Sequence, residues 1–138
     1  MNEKVDISWK DKMAFEAIVN DHKITIDARA EVGGEDKGPR PKPLLLASLG
    51  GCTGMDLISI PKKMRVAPEQ LNVSLERHHP DEHPKHYDKL HIKYFFKGKD
   101  LPMKKLEKAV NLSQERYCGV SYLLGKGAEI THEIIVED

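Results

Sequence analysis

Only two cysteines, Cys52 and Cys118, occur in this sequence. A thiol does nucleophilic or redox chemistry as its thiolate. Free cysteine, with a pKa of about 8.5, is mostly protonated at neutral pH, so a site that uses one must lower that value. A thiolate that attacks a hydroperoxide becomes a sulfenic acid, and a second thiol within reach traps it as a disulfide. Cys52 lies in GPRPKPLLLASLGGCTGMDLISIPKKMR (38–65), and Cys118 lies in YCGVSYLL. The cations just upstream of Cys52 are Arg29, Arg40 and Lys42. Asp56, one helical turn after Cys52, raises the thiol pKa unless an arginine is paired with it. The competing reading is an inert core thiol, because cysteine is among the most buried residue types. Cys118 changes that weighing. Beside Gly119 at a helix end it is expected near solvent, which suits a thiol that resolves an intermediate formed at Cys52.

Histidine is the other chemically able group. His78, His79, His83, His86 and His91 crowd one segment, and His79, His83 and His86 are close enough in sequence to converge on zinc, which favours histidine. Pro80 and Pro84, with Asp81, Glu82 and Lys85 between, instead point to a solvated hairpin loop. No metal and no cofactor is assigned.

The elements that position the thiols follow from periodicity. The 38–65 stretch is apolar on nearly every face, which predicts a buried central helix. Pro41 and Pro43 mark its start, and Pro61 is expected to kink or end it. Gly50, Gly51 and Gly54 each cost about 1 kcal/mol in a helix interior, which suggests close approach by another element such as a second helix. Alternation at Val5-Ile7-Trp9, at Met13 to Val19 and at Ile24-Ile26 predicts three half-buried strands, with a turn at Asn20-Asp21. Two more strands are expected at Leu71-Val73-Leu75 and at Leu90-Ile92-Tyr94-Phe96, joined across the polar segment. A second helix is expected from Leu101-Pro102 to about Tyr117, a short helical piece from Val120 to Leu124, and a last strand through Ile130, His132, Ile134 and Val136. The order is βββ-α-ββ-α-β. Strands and helices do not alternate as βα units, so the class is α+β.

Composition bounds the rest. The 138 residues suit one domain, 1–138, or one subunit of an oligomer. Hydrophobic content of 39% and charged content of 32% suit a soluble globular chain. Twenty-two basic and twenty-two acidic residues cancel, so nothing recruits nucleic acid or an anionic membrane. The start, MNEKVDISWK, is not a signal peptide, and the central helix, interrupted by Ser48, Asp56 and Lys62, is expected not to span a bilayer. Two distant cysteines form no disulfide framework. A reducing cytoplasm is therefore expected, where a transient functional disulfide is possible.

GPRPKPLLLASLGGCTGMDL followed by YCGVSYLL, in this element order, resembles the OsmC/Ohr family, that of osmotically induced protein C and organic hydroperoxide resistance protein. G-G-C-T-x-x-D matches its OsmC-like branch. The resemblance covers essentially the whole chain. It implies an entwined homodimer, in which antiparallel sheets wrap long central helices that pack together, with Gly50 and Gly54 permitting the approach. It also implies reduction of organic hydroperoxides by a two-cysteine cycle with Cys52 peroxidatic, Cys118 resolving and an external dithiol as reductant. Leu45, Leu49, Met55 and Tyr122 then favour an organic substrate. In active members an arginine held by a glutamate activates the thiolate. The arginine most nearly corresponding is Arg29, with Arg40 the other possibility. The glutamate's region reads Pro41-Lys42-Pro43, and Glu35 or Asp36 is the available substitute. The alternative is a stress-related binding protein on the same fold without efficient peroxidase activity.

Overall fold

The computed structural model describes residues 3–138, which form two compact units, one ending at Leu46 and the other beginning at Ala47. In the first unit, β1 (Asp6–Asp11), β2 (Ala14–Val19) and β3 (His22–Ile26) make an antiparallel meander in that order. Ile7 pairs with Ala17 and Phe15 with Ile26. Asn20 and Asp21 both have positive φ, 49° and 65°, which suits the tight two-residue hairpin expected there. The alternation in β1 does not translate into burial. Ile7 and Trp9 remain 58% and 65% exposed, because a three-stranded sheet with Ala14 and Ala17 as its buried apolar positions offers β1 little to pack on.

After β3 the chain makes a closed loop. The buried carboxylate of Asp27 accepts the backbone N–H groups of Ala28 (2.7 Å), Glu35 (3.2 Å) and Lys37 (3.1 Å), while its own N–H donates to Pro39 O. A short 3-10 turn, Ala30–Val32, begins directly after Arg29.

α1 (Pro43–Lys63) runs on into the second unit. Pro43 occupies its first position, where a missing N–H costs nothing. Pro61 falls in the last turn, and the helix ends two residues later rather than at the proline. Leu49, Thr53 and Leu57 recur every four residues and are fully buried. Burial of each leucine is worth about 1.5–3 kcal/mol.

β4 (Gln70–His78) pairs antiparallel with β5 (Lys89–Lys97). α2 (Met103–Leu112), a π-helical turn (Ser113–Tyr117) and α3 (Gly119–Leu124) lead to β6 (Glu129–Glu137). The expectation of antiparallel sheets is corrected at one pair: β6 lies parallel to β5, with Tyr94 opposite Ile134. The helical crossover between them returns the chain in the same direction. Leu90, Ile92, Tyr94 and Phe96 alternate into the core as predicted, joined by Leu106 and Val110 from α2. The second helix stops short of its expected end, since residues 113–117 widen into the π turn.

Two expectations about α1 change. Its glycines meet a strand rather than a second helix: a Cβ on Gly50 would stand 2.8 Å from Leu75 Cδ1, and one on Gly54 would stand 3.6 Å from Val73 Cγ2, both on β4. Nor is the helix buried all round, for Met55 is 76% exposed and Ile58 52%. By length and composition alone α1, at 21 residues with a mean hydropathy of 1.4, could cross a membrane, a test that the apolar core helix of a folded protein also passes. Its polar connections argue against that placement, because Thr53 and Asp56 are hydrogen-bonded into the fold of the second unit.

Candidate thiol site

Cys52 and Cys118, distant in sequence, come together in the second unit. Their thiols are neighbours, near enough that Cys118 affects the ionisation of Cys52, and both are free. α1 supplies Cys52. Cys118 sits between the π turn and α3, where its N–H donates to Ser113 O at 2.6 Å and its sulfur accepts the Ser121 N–H at 3.3 Å as the N-cap of α3. The next amide back, that of Val120, lies near the Cys52 thiol and favours its thiolate. The start of α3 thus turns one backbone N–H toward each sulfur. Neither amide belongs to α1, the helix that carries Cys52.

Exposure is the reverse of the expectation. Cys118 is 2% exposed and buried, whereas Cys52 is half-buried. N-capping turns the Cys118 sulfur inward, and Gly119 beside it is the exposed residue.

The electrostatics of this pair do not favour ionisation. Burial pushes the Cys52 thiol above its ordinary value, the Cys118 thiol and the Asp56 charge add to the rise, and the Val120 N–H alone opposes it. The effect expected of Asp56 is therefore present. Arg29 lies in the first unit, exposed, its carbonyl accepting the N–H groups of Val32 and Gly34. Arg40, in the same loop, is the arginine with a carboxylate: it contacts Asp36 Oδ1 at 2.6 Å and donates to Gly38 O at 2.8 Å.

Behind the thiols lies a polar cluster that sequence reading missed. Thr53 Oγ1 is 2.8 Å from both Tyr94 OH and Ser113 Oγ, Ser113 donates to Asp56 Oδ2 at 2.8 Å, and Gln114 Nε2 donates to Tyr94 OH at 2.9 Å. Burial raises the Tyr94 phenol above its ordinary value. A signal was available: β5 alternation points Tyr94 into the core, and a buried tyrosine hydroxyl requires a partner. Ser121 Oγ is the exception among the described residues, a buried oxygen with no partner. Because Ser121→Ala strands no other group, it is expected to change unfolding free energy by less than about 1 kcal/mol. A thermal melt checks this, and a larger loss would reveal an unseen partner.

The histidines disperse. His78 Nδ1 meets Asp88 Oδ1 at 2.8 Å, His79 and His86 face backbone carbonyls, and His91 contacts Thr131 and Glu133 on β6. Among the described residues no three potential ligands gather as a metal cluster.

A family model described as OsmC-like protein matches residues 34–133. The chain belongs to the OsmC-like family. It is 30% identical to Protein YhfA of Escherichia coli K12 over 127 residues, covering 91% of this chain and 92% of YhfA. The crystal structure of a hypothetical protein from Aquifex aeolicus VF5 matches with a TM-score of 0.83 and 32% identity, over 100% of this chain and 99% of that one. The organic hydroperoxide resistance protein OhrB of Bacillus subtilis matches with a TM-score of 0.63 and 20% identity, over 95% and 96%. At that identity OhrB speaks for the shared OsmC fold alone.

Proposed function

We propose that this OsmC-like chain is a thiol-dependent peroxidase that reduces organic hydroperoxides to alcohols in oxidative-stress defence. The observation that carries this reading is the meeting of Cys52 and Cys118 in one unit. The Cys52 thiolate attacks the distal oxygen of ROOH. The S–O bond forms as the O–O bond breaks, and the alkoxide takes a proton to leave as the alcohol. Cys118 then attacks the sulfenic sulfur, releasing water and closing the disulfide, and an external dithiol restores both thiols by exchange. Cys52, the more open thiol, takes the peroxide role, and buried Cys118 resolves it.

Because its surroundings raise the Cys52 pKa, the reaction needs a cation. Arg29 is assigned that role, with Arg40 the alternative. A cytoplasmic homodimer is the working form. Exposed Ile58 and Leu123 on the second unit and Ile7 and Trp9 on the first support it, since apolar side chains left this open call for cover. Leu45, Met55 and Tyr122 are exposed enough to meet an organic substrate, whereas Leu49 is fully buried and leaves the set named from sequence.

The test is a thiol count on reduced protein before and after one equivalent of cumene hydroperoxide. Rapid loss of both thiols in the wild type and of one in Cys118→Ser is expected. Survival of both for many minutes would overturn the reading in favour of a binding protein on the same fold. The raised Cys52 pKa favours that alternative.

A further inference from the structure

The polar cluster behind the thiols has a direction. An ionised carboxylate only accepts, so the single proton of Ser113 Oγ points to Asp56. With that proton committed, Ser113 accepts in its bond with Thr53, and Thr53 is the donor. The Thr53 proton is then committed too, so Tyr94 donates to Thr53. The Tyr94 oxygen is left to accept, which is what Gln114 Nε2 requires. Counting protons this way orders four bonds into one chain, Gln114 to Tyr94 to Thr53 to Ser113 to Asp56. Bonds aligned head to tail polarise and strengthen one another, most of all when they end on a charge.

The chain joins three elements. Thr53 and Asp56 are on α1, Tyr94 is on β5, and Ser113 and Gln114 open the π turn. Ser113 also holds the far end of that turn, since its carbonyl accepts the Cys118 N–H at 2.6 Å. π turns are rare and recur at functional sites. This one is tied through Ser113 to the helix that carries Cys52.

We propose that Asp56 is a positioning residue: its carboxylate fixes the direction of the hydroxyl chain and, through Ser113, locks the π turn that sets Cys118 beside Cys52. The importance of the lock rests on the thiol-pair reading above, but the lock itself does not. Asp56 thus has two opposed effects on one site. Its charge raises the Cys52 pKa, and its hydrogen bond holds the resolving thiol in place.

Two measurements separate the effects. The first is the effective concentration of the Cys52–Cys118 disulfide, read from equilibrium with oxidised and reduced glutathione. The second is amide hydrogen exchange at Cys118 in the reduced protein. Asp56→Ala and Ser113→Ala are each expected to lower the effective concentration about tenfold and to speed Cys118 exchange by a similar factor. The double variant is expected to be little worse than either single one, because both cut the same chain. Asp56→Asn keeps an acceptor for Ser113 and should restore most of both quantities, while its lost charge lowers the Cys52 pKa. Tyr94→Phe leaves the Thr53–Ser113–Asp56 portion intact and should change both by less than about twofold. Unchanged exchange at Cys118 in Asp56→Ala and Ser113→Ala would overturn the lock. So would an effect of Asp56→Ala that Ser113→Ala does not share, or that Asp56→Asn reproduces in full. If the wild type forms no disulfide in any glutathione mixture, the thiol-pair reading falls, and Cys118 exchange still decides the lock.

Discussion

Cys52→Ser is expected to abolish hydroperoxide reduction, with a fall on the order of 10³-fold or more, because a serine hydroxyl beside Asp56 has no means of ionising near neutral pH. Cys118 remains in this variant, but it is buried and already accepts the Ser121 N–H, so it does not replace the lost nucleophile. The pH profile carries the finer expectation. Burial, Cys118 and Asp56 hold the Cys52 pKa above its ordinary value, so without a cation the thiolate is a small minority at pH 7 and rises about tenfold per pH unit below the pKa. An arginine that activates the thiol moves this rise to lower pH. Alkylation of Cys52 by iodoacetamide at pH 7 should therefore slow about ten- to hundredfold in the variant that lacks the operative arginine, Arg29→Ala by assignment and Arg40→Ala as the alternative. The range allows for the greater nucleophilicity of a more basic thiolate. Equal alkylation rates in wild type and both variants would remove the arginines from the mechanism. Unchanged peroxide turnover in Cys52→Ser would remove the peroxidase reading altogether.

Much of this fold was legible because side-chain periodicity is a local property. Leu90, Ile92, Tyr94 and Phe96 alternate, and each points inward. Asn20-Asp21 is a two-residue turn with both φ values positive. What periodicity does not encode is which strands become neighbours and in what sense. The parallel pairing of β5 with β6 depends on a crossover of two helices and a π turn, and no residue in β6 announces it. Burial around the thiols failed for a related reason. Gly119 suggested an open helix end at Cys118, but the capping bond from Ser121 turns the sulfur inward. The α1 glycines were read as room for a second helix, yet in the single chain Leu75 and Val73 of β4 occupy that face. Within the site, the two cysteines and Asp56 were identifiable by their chemistry. Thr53, Ser113 and Gln114 were not, because a hydroxyl or amide becomes informative only once its partner is known. His132, in the last strand, is half-buried with its ring 6.2 Å from that of Tyr94.

The loop that carries both candidate arginines is closed by one carboxylate and tight backbone contacts, and Gly34→Ala is expected to open it. A Cβ at Gly34 would overlap the carbonyl oxygen of Ala28, so the loop would have to move away from the backbone it packs on. The atoms met are all backbone of Ala28, so no flexible side chain is there to yield, unlike Gly50, where the nearest atom is the end of Leu75. The same displacement breaks the bonds from Glu35 N–H and Lys37 N–H to Asp27 Oδ2. Exchange at these two amides should speed at least tenfold in Gly34→Ala, by about the ratio that a lost 1.4 kcal/mol of local stability implies. Acid acts on the same bonds. The backbone N–H groups, led by that of Lys37, hold the Asp27 carboxyl below its ordinary 3.8. A depressed folded-state pKa contributes stability that is complete above the unfolded value and is lost as pH falls through the folded one. The loop should therefore stay protected down to about pH 4 and open below that, ahead of elements held by apolar packing. Asp27→Asn, which keeps one acceptor and loses the charge, should remove this acid step and speed exchange at Glu35 and Lys37 at neutral pH. Full protection of both amides in Gly34→Ala would mean that the loop accommodates the methyl group by a concerted shift.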